Sequence, residues 1–296
     1  MKKLNLNDYF NLQYYKSVFL SFLKNDNKTS IFNMPLRDHN IDDTVIRSFL
    51  KSKDLSENDK KIVELYNDKK ISKIMLVKYI GRKDKTWFRG KIHLMLVFLS
   101  PIWIFHMLNL SKTLTTKICT SVAILCIFFN FFASFLFHNF EWNPHFFFFI
   151  EKLDHFGIFL MISGSSLPVQ ALLFNKGKLL LFISLQSMSI LFGFLCIFCG
   201  CFSSGNRFIR TFTFLSAGFL HSVFIKDYFI SLYTSELIFL VSLAVLYVIG
   251  AVIYSIKKPN VLPGLIGFHE LFHFCCLGSA LCTFALNCSV IKRNTQ

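Results

Sequence analysis

Seven apolar segments, each close to the length that crosses a bilayer, dominate this chain. They lie near residues 92–110, 116–137, 154–174, 179–202, 208–225, 235–255 and 267–290. A hydrocarbon core about 30 Å thick takes roughly 20 helical residues at 1.5 Å each. Within it, backbone N–H and C=O groups must bond inside the segment itself, so runs of this length specify helices. The predicted fold is therefore all-α: a polytopic membrane protein built as a bundle of seven transmembrane helices over residues 92–290. A polar extension, residues 1–91, precedes it, and a short tail, residues 291–296, follows. The mean hydropathy of +0.50 excludes an ordinary soluble domain. Phe reaches 38 of the 296 residues. Leu, Ile and Phe are nearly interchangeable against lipid tails, so single Phe residues carry little functional information.

Charge is placed unevenly. Residues 1–91 hold 20 Lys+Arg against 11 Asp+Glu, and the remaining residues hold 12 against 6. Nine basic residues crowd the approach to the first span: Lys69, Lys70, Lys73, Lys78, Arg82, Lys83, Lys85, Arg89 and Lys91. A basic cluster abutting a span reads as a cytosolic juxtamembrane anchor, with membrane lipids rather than nucleic acid as the expected partner. The loops speak less clearly. Arg207, Lys257 and Lys258 fall on the N-terminal side, whereas Lys112, Lys117, Lys176, Lys178 and Lys226 fall on the other. The first forty residues lack the apolar core of a signal peptide, so the first span is expected to serve as an uncleaved anchor. Within the extension, Asp42–Lys51 and Glu57–Tyr66 show weak helical periodicity, and the Asn-rich, charged remainder reads as partly disordered.

Polar residues inside the apolar runs carry the functional signal. Ser134 and His138 share a helix face at the end of the second span. Asp154 and His155 open the third, and His269 and His273 share a face in the first turns of the seventh. The second span ends where the third and seventh begin, on one side of the membrane, so these groups share one depth. Ionisable side chains at that depth cost several kcal/mol on the order of two to four unless paired or ligated. Asp154 and Glu270 have no obvious basic neighbour on their own helix faces, and a cation would relieve them. Three imidazoles with one open position make a frequent catalytic zinc site. His138, His269 and His273 are the expected metal ligands. Asp154 would hold and deprotonate a water, and Ser134 would orient it or donate to an oxyanion. Zn2+ is expected over calcium or magnesium because imidazole dominates the set.

Other readings are weaker. His269-Glu-Leu-Phe-His273 also spells the zincin pattern with Glu270 as base, but no His, Asp or Glu follows to complete it, and Glu270 is turned about 100° from His269. His93, His106 and His221 are expected to bond neighbouring helices. His155 is either a partner of the metal ligands or an interfacial residue, and His39 and His145 are expected in solvent. All nine Cys lie in apolar runs, where a thiol packs as a small apolar group; Cys196-Ile-Phe-Cys199 is read that way despite its redox spacing.

Ser134-x-x-x-His138, Leu153-Asp-His-Phe-Gly-Ile-Phe-Leu-Met-Ile-Ser-Gly164 and Pro263-Gly…Phe-His269-Glu-Leu-Phe-His273 together resemble the hemolysin III family, within the wider group of progestin and adipoQ receptors. The resemblance covers about residues 87–290. It implies seven helices, a cytosolic N-terminus and zinc on His138, His269 and His273, with Asp154 and Ser134 as the motif Asp and Ser. Many relatives carry a Glu and an Asn ahead of the first span's His. Here Arg89 and Gly90 precede His93, so that first motif is not carried over. The resemblance further implies membrane lysis by pore formation, as a homo-oligomer. The alternatives are hydrolysis of lipid amides of the ceramide type, as receptor-branch relatives suggest, and sensing of a lipid or steroid.

Overall fold

The structure, a computed structural model, describes residues 43–52, 55–81, 86–198, 207–262 and 265–295. Several residues singled out in the sequence lie outside these: His39, Arg82, Lys83, Lys85, Cys199, Cys201, Pro263 and Gly264. The side chains of His145 and Arg207 are outside them as well.

Among the described residues the only pairing resembling a sheet is an isolated bridge between Leu262 and Ile266; everything else regular is helical. Among the described residues three short helices come first: α1 (Asp43–Lys51), α2 (Glu57–Asn67) and α3 (Lys73–Gly81). Ser56 caps α2 by accepting from the Asp59 N–H, while Asp59 accepts from the Ser56 N–H. The periodicity at Asp42–Lys51 and Glu57–Tyr66 thus becomes α1 and α2.

Seven helices long and apolar enough to span a membrane follow: Lys91–Leu110, Leu114–Asn139, Phe146–Leu173, Lys176–Phe198, Phe208–Ser231, Thr234–Ile256 and Phe268–Asn294. The protein is a multi-pass integral membrane protein. Its outward faces are as apolar as its core, with Phe98, Phe105, Leu125 and Leu195 all exposed. One buried cluster joins the first, second, third and seventh spans through Leu96, Trp103, Ile127, Phe131, Met161 and Ala280.

Two spans depart from the sequence expectation. The third helix begins at Pro144, ten residues before Asp154. Glu151 and Lys152 read as a connector, yet Phe146–Ile150 ahead of them is apolar and Pro is tolerated in a first helical turn. Asp154 and His155 therefore sit inside the helix rather than at its start. That helix also breaks at Ser165 and Ser166, because Pro168 has no N–H to donate to a carbonyl four residues back. Asn287, from the seventh span, donates to the Ser165 carbonyl at 2.8 Å and satisfies the break. The fifth span passes through a 3₁₀ turn, Leu220–Phe224, and continues as Ile225–Ser231. Lys226 and Asp227 lie within it, and Asp227 pairs with Lys178 of the fourth span.

Close approach of the second and third spans is set by Gly157. A Cβ there would lie 2.8 Å from the Asn130 Cα. Opposite the future site, Glu236 at the start of the sixth span is fully buried and accepts from Arg293 at 3.0 Å and Ser289 at 2.9 Å. This pairing ties the end of the seventh span to the start of the sixth.

Candidate metal centre

Three segment ends meet where the first and seventh spans start and the second stops. Gly90 has φ +81°, the left-handed region, and a Cβ there would lie 2.7 Å from the His138 Cβ. Only glycine lets the first span enter so close to the end of the second. The Arg89 Nε donates to Glu270 Oε1 at 2.9 Å, and the Gly267 N–H donates to Glu270 Oε2 at 2.8 Å. Asn260 Oδ1 accepts from the Phe268 N–H at 3.0 Å. Glu270 and Asn260 thus cap the seventh helix, and Arg89 locks the first span to it.

This corrects the sequence reading of Glu270. Its cation is a guanidinium 181 residues away in the chain. Glu270 is fully buried and does not line the cavity described below. A general-base role in the zincin manner has no support there.

With the ends held, the imidazoles of His138, His269 and His273 converge. A ring nitrogen from each lies within 4.8 Å of the others. Ring centroids stand 5.0 Å apart for His138 and His269, 5.3 Å for His138 and His273, and 4.5 Å for His269 and His273. The group is largely buried, and the Nδ1 of His273 is buried with no hydrogen-bond partner. Buried polar nitrogens seldom stay unbonded. Three converging imidazole nitrogens fit a metal ion, and the group can hold one.

The centre faces a cavity of about 830 Å³. Ser134, Asp154 and His155 line it with the three histidines. Ser134 is buried one turn deeper than His138 on the same span. The predicted site residues are therefore gathered around one space. His155 also meets the fifth span, its Nε2 lying 3.3 Å from Arg210 Nη1. Much of the remaining wall is apolar, with Phe214, Leu240, Leu243 and Ala244 among it, although Arg210, Thr211, His221 and Ser222 line the cavity too. Phe219 and Val248 also line it, yet they are 75% and 50% exposed on the bundle's outer surface. The cavity thus reaches the lipid-facing side between the fifth and sixth spans.

Sequence reasoning misplaced two histidines, His93 and His106. His93 was expected to bond a neighbouring helix. It lies instead edge-on to His273, with centroids 3.9 Å apart, and neither of its nitrogens has a hydrogen-bond partner. The span count that grouped the other histidines also reaches His93, since the first span starts where the second ends. His221 behaves as expected: its Nε2 donates to the Ile162 carbonyl at 3.1 Å. His106 is exposed beside Phe284, at 6.0 Å between centroids.

The fold and centre define a class: seven-span helical membrane proteins with a histidine group at one end of the bundle. Residues 82–284 match the family described as Haemolysin-III related, and the chain belongs to that family.

Proposed function

We propose that the protein is a zinc-dependent hydrolase of lipid amides. The observation that carries this reading is the three-histidine group opening onto a large, mostly apolar cavity that also holds Ser134 and Asp154. An all-imidazole donor set favours zinc over hard, oxygen-seeking cations. Zinc at the three histidines would supply Lewis acidity toward a carbonyl and lower the pKa of a water toward about 7.

The chain's own residues do the rest. His138, His269 and His273 hold the ion. Asp154 takes the proton from the attacking water and returns it to the leaving amine. The Ser134 hydroxyl donates to the carbonyl oxygen as negative charge grows on it. Apolar walls accept an acyl chain, and the opening at Phe219 and Val248 suits a substrate arriving from the bilayer.

The test is release of fatty acid from a ceramide panel by the full chain in lipid nanodiscs with zinc. Wild type is expected to turn over at least one member. Asp154→Asn is expected to lose about 10²-fold or more, with its metal content unchanged. A stoichiometrically metal-loaded protein that releases nothing from any ceramide overturns the reading.

The family description supports a second reading, membrane lysis by an oligomeric pore. Osmotic protectants separate the two. Sugars above a fixed size block red-cell lysis by a pore, and lysis by lipid products is indifferent to sugar size.

A further inference from the structure

Helices α1–α3 lie wholly before residue 82, where the family match begins. They nonetheless share one buried cluster with the membrane bundle. Ile46, Ile62, Leu76, Tyr79 and Ile80 close together on Phe147, with Phe137 and Trp142 packed alongside. Their seat is the last turn of the second span and the first turns of the third. Phe137 directly precedes His138, and the two rings stand 4.9 Å apart.

The contact extends into the site itself. Val77 of α3 lines the same cavity as His138, Asp154 and His269. Phe137 and Phe147 belong both to the buried cluster and to the cavity wall. The three helices also have internal order of their own. Asp59 of α2 is buried and accepts from the Tyr79 hydroxyl of α3 at 3.2 Å, besides closing the α2 cap. A buried carboxylate bonded in this way fixes how α2 meets α3.

We propose that α1–α3 form a lid that shuts the cavity on the side where the first span begins, with Val77 part of the wall a ligand would meet. Water-borne molecules are then held out at that end, and apolar ligands enter between the fifth and sixth spans. The proposal concerns access to the cavity and stands whether or not the centre cleaves amides.

Cys276 offers the readout. It is a free, buried thiol on the cavity wall, one turn beyond His273. The full chain is placed in nanodiscs, which cover the lipid-facing opening, and treated with a charged, membrane-impermeant maleimide. Cys276 modification is followed by peptide mapping, alongside protease cleavage within residues 43–81. Two variants undock the lid from opposite sides: Ile62→Asp within the helices and Trp142→Ala in their seat. Wild type is expected to react slowly, and both variants at least tenfold faster as residues 43–81 become cleavable. Cleavable variants whose Cys276 reacts at the wild-type rate would overturn the proposal. So would a wild type that already reacts as fast as they do.

Discussion

Arg89 and Glu270 hold opposite charges with little access to water, and such a pair is costly to break from one side only. Removing one partner of a buried pair typically costs about 3–5 kcal/mol, because the other charge is left stranded. Arg89→Met is expected to destabilise the protein by that order, and Arg89→Met with Glu270→Gln to recover most of the loss. Chemical denaturation in mild detergent measures both. At the centre, His138→Ala, His269→Ala and His273→Ala each remove one donor. Each is expected to reduce retained metal to below about a tenth of wild type, read by elemental analysis of purified protein. These three histidines stood out in the sequence because polar side chains are conspicuous in apolar runs. Arg89 did not, since a basic residue beside a span already has a reading as a lipid-facing anchor. Its true partner is fixed only by how the first and seventh spans meet.

Two glycines show how helix packing carries the site. Gly157 sits where the second and third spans touch, and any larger side chain must push Asn130 away. Gly157→Leu is expected to separate the helices that supply His138 and Asp154, lowering both the melting temperature and metal retention. Gly218 is the control, because a Cβ there meets nothing within 4 Å. Gly218→Ala is expected to leave metal retention unchanged and to stabilise the helix by up to about 1 kcal/mol. The existence of all seven spans could be read from hydropathy alone, but the start of the third could not. Glu151 and Lys152 carry the signature of a loop, and only their setting in a longer helix overrides it.

Across the membrane bundle, the span count places the starts of the first, third and seventh spans and the end of the second on one face. The connectors containing Lys112 and Asn175 must then lie on the opposite face from those containing Glu141 and Asn260. Single cysteines at these four positions, in a background without native thiols, are expected to label in two groups with an impermeant reagent applied to sealed vesicles. A mixed pattern would break the topology. The convergence of distant residues was legible because it follows from counting crossings. The roof made by α1–α3 was not, because weak periodicity shows that helices form without showing what they rest on.

The broken third span has a consequence for biosynthesis. Its Ser165 carbonyl finds its donor in Asn287, which is synthesised 122 residues later. Until that residue is made, the seventh span has no donor to offer this carbonyl, which lies in the C-terminal half of the crossing Phe146–Leu173. The last crossing therefore does more than pack: it brings the donor that the interrupted third span cannot supply from its own turns.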